Sequence, residues 1–460
     1  MSERGDAASD GRCWLVDRRP DGSVAGGVSR HIEALEAAGD GPLVRVEAAG
    51  FNYKDALACS GHPGVAKALP LVPGIDAAGT LLEAAAGLPA GAPVVVTGNG
   101  LGETRPGAFA TLLRPPAEAI VPRPPALSAR AAMALGTAGL TVLLTLDRLA
   151  QAAPPSHRGT RGGEWLVTGA SGGVGMVAVA ALAAEGRTVV ACSRKPAAEP
   201  ILRALGAAFI AHPDVLSGEP GKPLVRGRWA GVIDTVGGPL LADALRAVLP
   251  GGVVAAIGMA GGVDLATTVY PFILRGVTLC GIDAATLPTQ AERAALWPRL
   301  AELWPRVQDR LPVTTLALDE IGGWAAALLR GEALGRAVVL PAARAERHSI
   351  NLAGAWERAG DAWRRSFGRP TGVEAGDAIR LVFTAPGHAS VTLNGVALPA
   401  LRGDTPSWSH DVTTLLGERN EISLSTEALP GADMDAVGHV ALPNELGRPA
   451  LEIVSHVVDP

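Results

Sequence analysis

An apolar run passes directly into a glycine-rich turn at Trp165-Leu166-Val167-Thr168-Gly169-Ala170-Ser171-Gly172-Gly173-Val174-Gly175. Residues 173–184, rich in alanine and valine, follow without a break and predict a helix. Glycines at 169, 172 and 175 allow a tight turn, close approach of the backbone to a pyrophosphate, and close packing of helix on strand. The helix N-terminus would present free N–H groups to the phosphates. In this setting the glycines indicate a dinucleotide site, and a purely structural turn is the alternative.

The sequence around this turn, from about residue 135 to residue 283, alternates predicted strands and helices. Such alternation predicts an α/β domain with a doubly wound, largely parallel sheet. The predicted strands are 165–167, 189–191, 232–234, 253–257 and 279–282, and the predicted helices are 173–184, 198–205 and 240–249.

The adenosine end of the dinucleotide site is predicted just after the second strand, at Cys192-Ser193-Arg194-Lys195. An Asp or Glu at this point would hold the ribose 2′-hydroxyl of NAD. Ser193, Arg194 and Lys195 instead offer a hydroxyl and two cations, which suit a 2′-phosphate. NADPH is therefore the predicted cofactor, and a solvated basic turn is the alternative.

The two flanking regions are predicted to be mainly β. From Trp14 to about Arg123 the chain contains short apolar runs broken by glycine and proline, with Asp21-Gly22 as a hairpin signal. Residues 343–460 show no helical period, and Asn394-Gly395 signals a tight hairpin, so an all-β sandwich is predicted there. Three tryptophans of this last region could form a stacking platform or a core, and the core is favoured: Trp356, Trp363 and Trp408.

Composition excludes several classes of function. The chain has 40 Lys and Arg against 45 Asp and Glu, so its net charge of −5 gives no case for nucleic acid or an anionic membrane. Its four cysteines are far apart, which disfavours a disulfide framework and a structural zinc site and favours a reducing, cytoplasmic compartment. The polar N-terminus predicts no signal peptide. The apolar stretch 131–146 is shorter than a membrane span and predicts a buried helix.

Several segments resemble a known family. Phe51-Asn52-Tyr53-Lys54-Asp55-Ala56-Leu57-Ala58, the stretch 70–80 with its Pro-Gly-Ile-Asp76, and the segments 136–141, 167–175 and 267–276 carry the resemblance. From about residue 14 to about residue 340 the chain resembles the zinc-free acryloyl-CoA reductase branch of the medium-chain dehydrogenases/reductases, also called quinone oxidoreductases. The resemblance implies a GroES-like substrate domain over 12–135, completed by 286–342, around a Rossmann domain over 136–285.

The resemblance also implies a reaction: NADPH would deliver hydride to the β-carbon of a short 2-enoyl-CoA, and a proton would reach the α-carbon. Donors aimed at the carbonyl oxygen would lower the barrier most. By resemblance Asn52 would orient the cofactor or the substrate carbonyl, Tyr53 would donate from its phenol, and Lys54 would lower the proton affinity of Tyr53. The alternatives are a Tyr53 used in packing and a surface ion pair between Lys54 and Asp55.

Other expected contacts lie at the carboxyl ends of the parallel strands, where doubly wound sheets bind ligands. Thr137 is expected there by resemblance, and Asp76 is expected to be a structural hydrogen-bonding residue. The stretch Gly61-His62-Pro63-Gly64 replaces the zinc ligands of the metal-binding relatives, so no metal is expected. The predicted cofactor contacts are Thr137, Gly169, Ser171, Gly172, Gly173, Val174, Gly175, Ser193, Arg194, Lys195, Thr235, Gly258 and Met259.

Substrate and partners remain open between alternatives. The enzymatic alternative to an enoyl-CoA reductase is a quinone reductase on the same scaffold, and Arg275 or Lys67 could hold the phosphates of a CoA ester. The non-enzymatic alternative is a nucleotide-binding scaffold. The motifs at 390–395, 408–416 and 419–422 resemble a galactose-binding-like sandwich, whose partner would be a carbohydrate or a neighbouring domain. Family members are commonly dimers, so a homodimer is a further expectation.

Overall fold

The computed structural model describes residues 11–30, 41–153, 163–216, 222–286, 288–359, 362–371, 373, 377–384, 386–402, 407–425 and 448–458. The chain forms two compact units, Met1–Ala342 and Ala343–Pro460.

The N-terminal part of the first unit is mainly β. Its strands are β1 (Cys13–Arg18), β2 (Val24–Ser29), β3 (Val44–Phe51), β4 (Asp76–Leu81), β5 (Pro93–Thr97), β6 (Leu112–Leu113) and β7 (Ile120–Pro122). β1 and β2 form the predicted hairpin, in which Gly22 has a φ of 84°. β3, β4, β5 and β7 pair antiparallel in that order. Helix α1 (Tyr53–Cys59) starts directly after β3, with Asn52 between them.

A long apolar helix, α2 (Ala129–Ala152), leads out of this sheet. The Ser128 hydroxyl accepts a hydrogen bond from the Ala131 N–H (3.1 Å) and so caps its first turn. The helix is long and apolar enough to cross a membrane, but 78% of its apolar window is buried inside the structure, in line with the predicted core helix. It departs from helical geometry at Gly136, where φ is 47° and ψ is −147°.

Strands and helices alternate through the next part of the unit. They are β8 (Glu164–Val167), α3 (Gly173–Ala184), β9 (Thr188–Cys192), α4 (Glu199–Ala204), β10 (Phe209–Ala211), β11 (Trp229–Asp234), α5 (Gly238–Arg246), β12 (Val248–Ala256), α6 (Tyr270–Arg275) and β13 (Thr278–Gly281). All six strands are parallel, in the order β10-β9-β8-β11-β12-β13. This confirms the doubly wound sheet, and its order reverses between β8 and β11, where such sheets bind ligands.

One predicted helix in this region is too long. The helix predicted over 240–249 ends at Arg246, and β12 begins at Val248. Val248 is fully buried and lies opposite Trp229 of β11, so burial in the sheet overrides the helical pattern of the sequence.

The remainder of the first unit returns to the N-terminal sheet. It contains α7 (Gln290–Val307), β14 (Val313–Leu316), α8 (Ile321–Leu329) and β15 (Arg336–Val339). β15 pairs antiparallel with β3, and β14 pairs parallel with β15. The last strands of this unit therefore extend the sheet formed by β3, β4, β5 and β7.

The second unit consists of strands in its described parts, apart from a single 3-10 turn at Thr413–Leu415. The strands are β16 (Ala343–Asn351), β17 (Glu357–Ala359), β18 (Ala362–Gly368), β19 (Ala378–Thr384), β20 (Ala389–Leu393), β21 (Val396–Leu401), β22 (Ser407–Asp411), β23 (Arg419–Ser425) and β24 (Arg448–Val458). They form two antiparallel sheets, β16-β24-β19-β22 and β17-β18-β23-β20-β21, whose buried side chains share one core. These sheets form the expected additional all-β domain.

Two details of the second unit agree with its sequence. Asn394 and Gly395 both have positive φ, 51° and 78°, as a two-residue hairpin between β20 and β21 requires. Trp356 and Trp363 are buried in the core, as favoured above, whereas Trp408 is half-buried and stacks on His410.

Candidate active site

The glycine-rich turn lies at the carboxyl end of β8, beside the point where the strand order reverses. Gly169 has a φ of 57°, and a Cβ there would lie 2.2 Å from the Thr235 hydroxyl oxygen. A Cβ on Gly175 would lie 2.4 Å from the Gly169 carbonyl oxygen. The first hydrogen bond of α3 runs from the Met176 N–H to the Gly172 carbonyl, so the preceding N–H groups face outward from the helix end. This cradle fits a phosphate group.

The loops after β11 and β12 close against this turn. The buried Asp234 carboxylate accepts from the Thr168 hydroxyl (2.5 Å) and the Gly237 N–H (2.7 Å), and burial raises its pKa. The Thr235 hydroxyl donates to the Thr168 carbonyl (2.9 Å), and a Cβ on Gly258 would lie 2.2 Å from the Thr235 carbonyl oxygen. The structure therefore brings Thr235 and Gly258 to the turn, and it leaves Met259 exposed.

The residues of the basic stretch after β9 differ in their exposure and in their hydrogen-bond partners. The Ser193 hydroxyl accepts from the Lys195 N–H (3.1 Å), and Arg194 is exposed. The Lys195 ammonium donates one hydrogen bond to the Ala333 carbonyl. Burial and the nearby Arg194 lower the pKa of Lys195 to about 8. Of the two cations, Arg194 is the one directed to solvent.

The predicted catalytic stretch lies at the start of α1. The Asn52 N–H donates to the Asp55 carboxylate (2.7 Å), and Tyr53 is 39% exposed. The Lys54 ammonium pairs with Glu103 (2.7 Å). A surface ion pair between Lys54 and Asp55 is therefore wrong, because Asp55 is fully buried and also accepts from the Ile75 N–H (3.0 Å).

A buried carboxylate that sequence reasoning gave only a structural role organises this site. Asp76, at the start of β4, accepts from the Asn52 side-chain amide (2.8 Å), from the Thr137 N–H (2.8 Å) and from the Thr137 hydroxyl. The backbone turn at Gly136 makes this possible, since a Cβ there would lie 2.5 Å from the Asp76 carboxylate. Asn52 and Thr137, far apart in sequence, therefore meet at one side chain.

Arg336, which sequence reasoning missed, connects this cluster to the glycine-rich turn. Its guanidinium donates to the Asn52 side-chain oxygen (3.1 Å) and to the Phe51 and Ala134 carbonyls (3.0 and 2.8 Å). A Cβ on Gly173 would lie 2.6 Å from the Arg336 Cδ, so the same side chain packs on the first turn of α3. The available signal was an arginine at the start of the apolar run Arg336-Ala337-Val338-Val339, whose burial demands partners.

The three ionisable side chains of this cluster are all shielded from solvent. Asp55, Asp76 and Arg336 are all buried. Burial, with repulsion from Asp76, raises the pKa of Asp55 to about 7, and burial also raises the pKa of Asp76. Burial lowers the pKa of Arg336, while the two carboxylates oppose that change. The guanidinium of Arg336 thus interacts electrostatically with both Asp55 and Asp76. Asp76 accepts hydrogen bonds from the side chains of Asn52 and Thr137, whereas Asp55 accepts from the backbone N–H groups of Asn52 and Ile75.

Two other sequence expectations concern metal and CoA binding. No group of three or more His, Cys, Asp and Glu side chains that could hold a metal occurs among the described residues, and zinc independence stays a prediction. Arg275 is unsuited to phosphate, because its guanidinium donates to the carbonyls of Val225, Arg246 and Val248. Lys67 is exposed.

Comparison with known proteins identifies the family. The alcohol dehydrogenase GroES-like domain matches residues 39–125, and the zinc-binding dehydrogenase domain matches residues 173–302. The acrylyl-CoA reductase AcuI of Ruegeria pomeroyi is 40% identical over 298 residues, which is 64% of this chain and 88% of the relative. The chain belongs to the medium-chain dehydrogenase/reductase family. It is an oxidoreductase with the GroES-like and Rossmann folds of that family, extended by strand-rich sheets.

Two solved structures are similar to the chain over its first unit. The YhdH oxidoreductase of Salmonella enterica, in complex with NADP, is 36% identical with a TM-score of 0.65, covering 72% of this chain and 99% of its own. The YhfP protein of Bacillus subtilis, with NAD bound, is 35% identical with a TM-score of 0.65 and the same coverage.

The raised pKa of Asp55 predicts a pH-dependent stability. Because its folded-state pKa of about 7 lies above the ordinary value of 3.8, the folded protein keeps a proton that the unfolded chain releases between these values. The stability from Asp55 is therefore complete below about pH 4 and lost as the pH rises through 7. We expect the unfolding free energy of the parent protein to fall relative to Asp55→Asn between about pH 5 and pH 7 and to level off above that, measured by urea denaturation.

Asp21→Asn is the matched control for this measurement. Asp21 lies in the exposed β1–β2 hairpin, and hydrogen bonds from Ser23 lower its pKa, so it stays ionised throughout this range. A constant free-energy difference between the parent protein and Asp55→Asn would contradict the assignment.

Proposed function

We propose that the protein is an NADPH-dependent reductase of α,β-unsaturated carbonyl compounds, with acryloyl-CoA or another short 2-enoyl-CoA as substrate. One observation carries the proposal: the Arg336 side chain donates to Asn52 and packs on Gly173. The residues predicted to handle the carbonyl are therefore held against the turn predicted to handle the cofactor. The acrylyl-CoA reductase activity named for the relative from Ruegeria pomeroyi supports the substrate class.

The residues proposed to hold NADPH fall into three groups. The cradle at the N-terminus of α3 would take the pyrophosphate, through Gly169, Ser171, Gly172, Gly173, Val174 and Gly175. Ser193 and Arg194 would take the 2′-phosphate, with Lys195 at the rim. Thr137, Thr235, Gly258 and Met259 would surround the nicotinamide half. When bound, NADPH supplies the hydride.

The chain's own residues would supply donors and a proton. Negative charge develops on the carbonyl oxygen as the β-carbon accepts hydride, and hydrogen-bond donors preorganised at that oxygen stabilise it. Asn52 has an amide N–H and Tyr53 an accessible phenol for this purpose. Since Lys54 pairs with Glu103, we propose that it anchors the start of α1 and only secondarily lowers the proton affinity of Tyr53.

The domain roles and partners are part of the same proposal. Residues 12–135 and 286–342 would bind the substrate, residues 136–285 would bind NADPH, and the protein would act in the cytoplasm, as a homodimer. The unit over 343–460 would be a galactose-binding-like sandwich that binds a carbohydrate or a neighbouring domain. Its half-buried Trp408, stacked on His410, is the aromatic surface that a sugar could use.

The substrate class is tested by comparing kcat/KM for acryloyl-CoA and for a simple quinone, each with NADPH. We expect at least about tenfold higher efficiency with acryloyl-CoA, equivalent to 1.4 kcal/mol of transition-state binding. Higher efficiency with the quinone would establish the alternative quinone reductase. Absence of NADPH oxidation with both would support the nucleotide-binding scaffold instead.

Tyr53→Phe tests the phenol. If Tyr53 donates to the developing charge, hydride transfer in a single turnover should slow about ten- to a hundredfold, the range expected for one preorganised donor of this kind. The measurement is the decay of NADPH absorbance after mixing with excess enoyl-CoA. An unchanged rate would make Tyr53 a packing residue and leave proton supply to water.

Arg194→Ala tests the choice of cofactor. The substitution removes the exposed guanidinium and with it a charge-assisted hydrogen bond to the 2′-phosphate. KM for NADPH should therefore rise about ten- to a hundredfold, while KM for NADH, which has no 2′-phosphate, should change little. Arg18→Ala, in the β1–β2 hairpin, is the matched control and should change neither. An equal effect of Arg194→Ala on both cofactors would remove the 2′-phosphate assignment.

A further inference from the structure

The hydrogen bonds around Asp76 fix the direction of each polar group next to it. An ionised carboxylate only accepts hydrogen bonds, and a guanidinium only donates them. A threonine hydroxyl or an asparagine amide placed between such groups therefore has its orientation dictated by them. Thr137 and Asn52 are both in this position, and both remain partly exposed.

Thr137 gives both of its hydrogens to Asp76. Its N–H donates to one carboxylate oxygen (2.8 Å), and its hydroxyl donates to the other. The N–H is available because Gly136 interrupts the helix immediately before it. With its hydrogen used, the hydroxyl oxygen of Thr137 can only accept a hydrogen bond from a ligand in the cleft.

Asn52 has the opposite hydrogen-bonding role, because its side-chain amide acts as a donor. Its side-chain oxygen accepts from the Arg336 guanidinium (3.1 Å), and one hydrogen of its amide nitrogen goes to Asp76 (2.8 Å). The amide cannot be reversed, because its nitrogen would then face a guanidinium and its oxygen a carboxylate. The Asn52 side chain also hydrogen-bonds to the Asp55 carboxylate, so its amide nitrogen acts only as a donor, and a ligand would share that donor with Asp55.

We propose that Asp76 is a positioning residue that makes Thr137 an acceptor and Asn52 a donor toward the ligands of the cleft. The inference rests on the proposed nicotinamide cofactor. At their reacting ends, a 2-enoyl thioester carries only acceptors, whereas nicotinamide carries a carboxamide NH₂. Thr137 therefore recognises the carboxamide NH₂, and Asn52 is left to bind a carbonyl oxygen.

The test measures the dissociation constants of two reduced cofactors in the absence of substrate. Binding is monitored by the quenching of protein fluorescence. One cofactor is NADPH, and the other is its 3-acetylpyridine analogue, in which a methyl group replaces the carboxamide NH₂. The parent protein should bind NADPH about three- to tenfold more tightly, the value of one hydrogen bond. Equal binding of the two would overturn the proposal.

Variants at two positions separate recognition from positioning. Thr137→Val should bind NADPH and the 3-acetylpyridine analogue about equally tightly. Thr137→Ser, which keeps the hydroxyl, should retain the preference for NADPH. Asp76→Asn can donate to Thr137 and free the hydroxyl hydrogen, so the preference should also disappear, while far-UV circular dichroism checks that the variant is folded. A Thr137→Val variant that keeps the preference overturns the proposal, and so does a folded Asp76→Asn variant that keeps it.

The outcomes remain separable from those of the proposed function. If Asp76→Asn does not fold, the two Thr137 variants still support or overturn the acceptor role. A full carboxamide preference in a protein that fails to reduce enoyl-CoA would support the inference and remove only the proposed substrate. Failure to bind either reduced cofactor would overturn the inference together with the cofactor assignment.

Discussion

The burial of the Asp76 carboxylate is the constraint on which the rest of the site depends. An ion removed from water is tolerated only where donors surround it. In this protein the donors are the side-chain amide of Asn52 and the N–H and hydroxyl of Thr137. The positive charge of Arg336 also favours the ionised carboxylate. Asp76 belongs to β4, and its partners come from the end of β3, from α2 and from β15, so satisfying one side chain requires four segments of the first unit to be in place.

This requirement explains features that look unrelated along the chain. The helix α2 is broken at Gly136, where only glycine leaves room for the Asp76 carboxylate and turns the next N–H toward it. β15 returns from a distant part of the chain to pair with β3 and thereby delivers Arg336 to Asn52. The pairing of β15 with β3, which joins the two ends of the unit in one sheet, thus also places the side chains around Asp76.

Local patterns predicted much of this molecule, because they act over short distances. The glycines after β8, the helix over 173–184 and the Asn394-Gly395 hairpin depend on neighbouring residues, and each is found as expected. One error arises where a distant partner prevails, since Val248 pairs with Trp229 in a sheet instead of ending a helix. The role of Arg336 depends on Asn52, which lies 284 positions earlier, so no local pattern could predict it.

The segment 333–336 links the loops proposed to bind the cofactor to the side chain proposed to bind the carbonyl. The Ala333 carbonyl accepts from Lys195, the Gly335 N–H donates to the Ser171 carbonyl (3.2 Å), and Arg336 donates to Asn52. Three residues within four positions thus contact the basic stretch, the glycine-rich turn and Asn52. Binding energy gained far from the reacting atoms can be used to orient the groups beside them. Because this short segment contacts both loops, ordering of either loop by the proposed cofactor would also restrain Arg336, and through it Asn52.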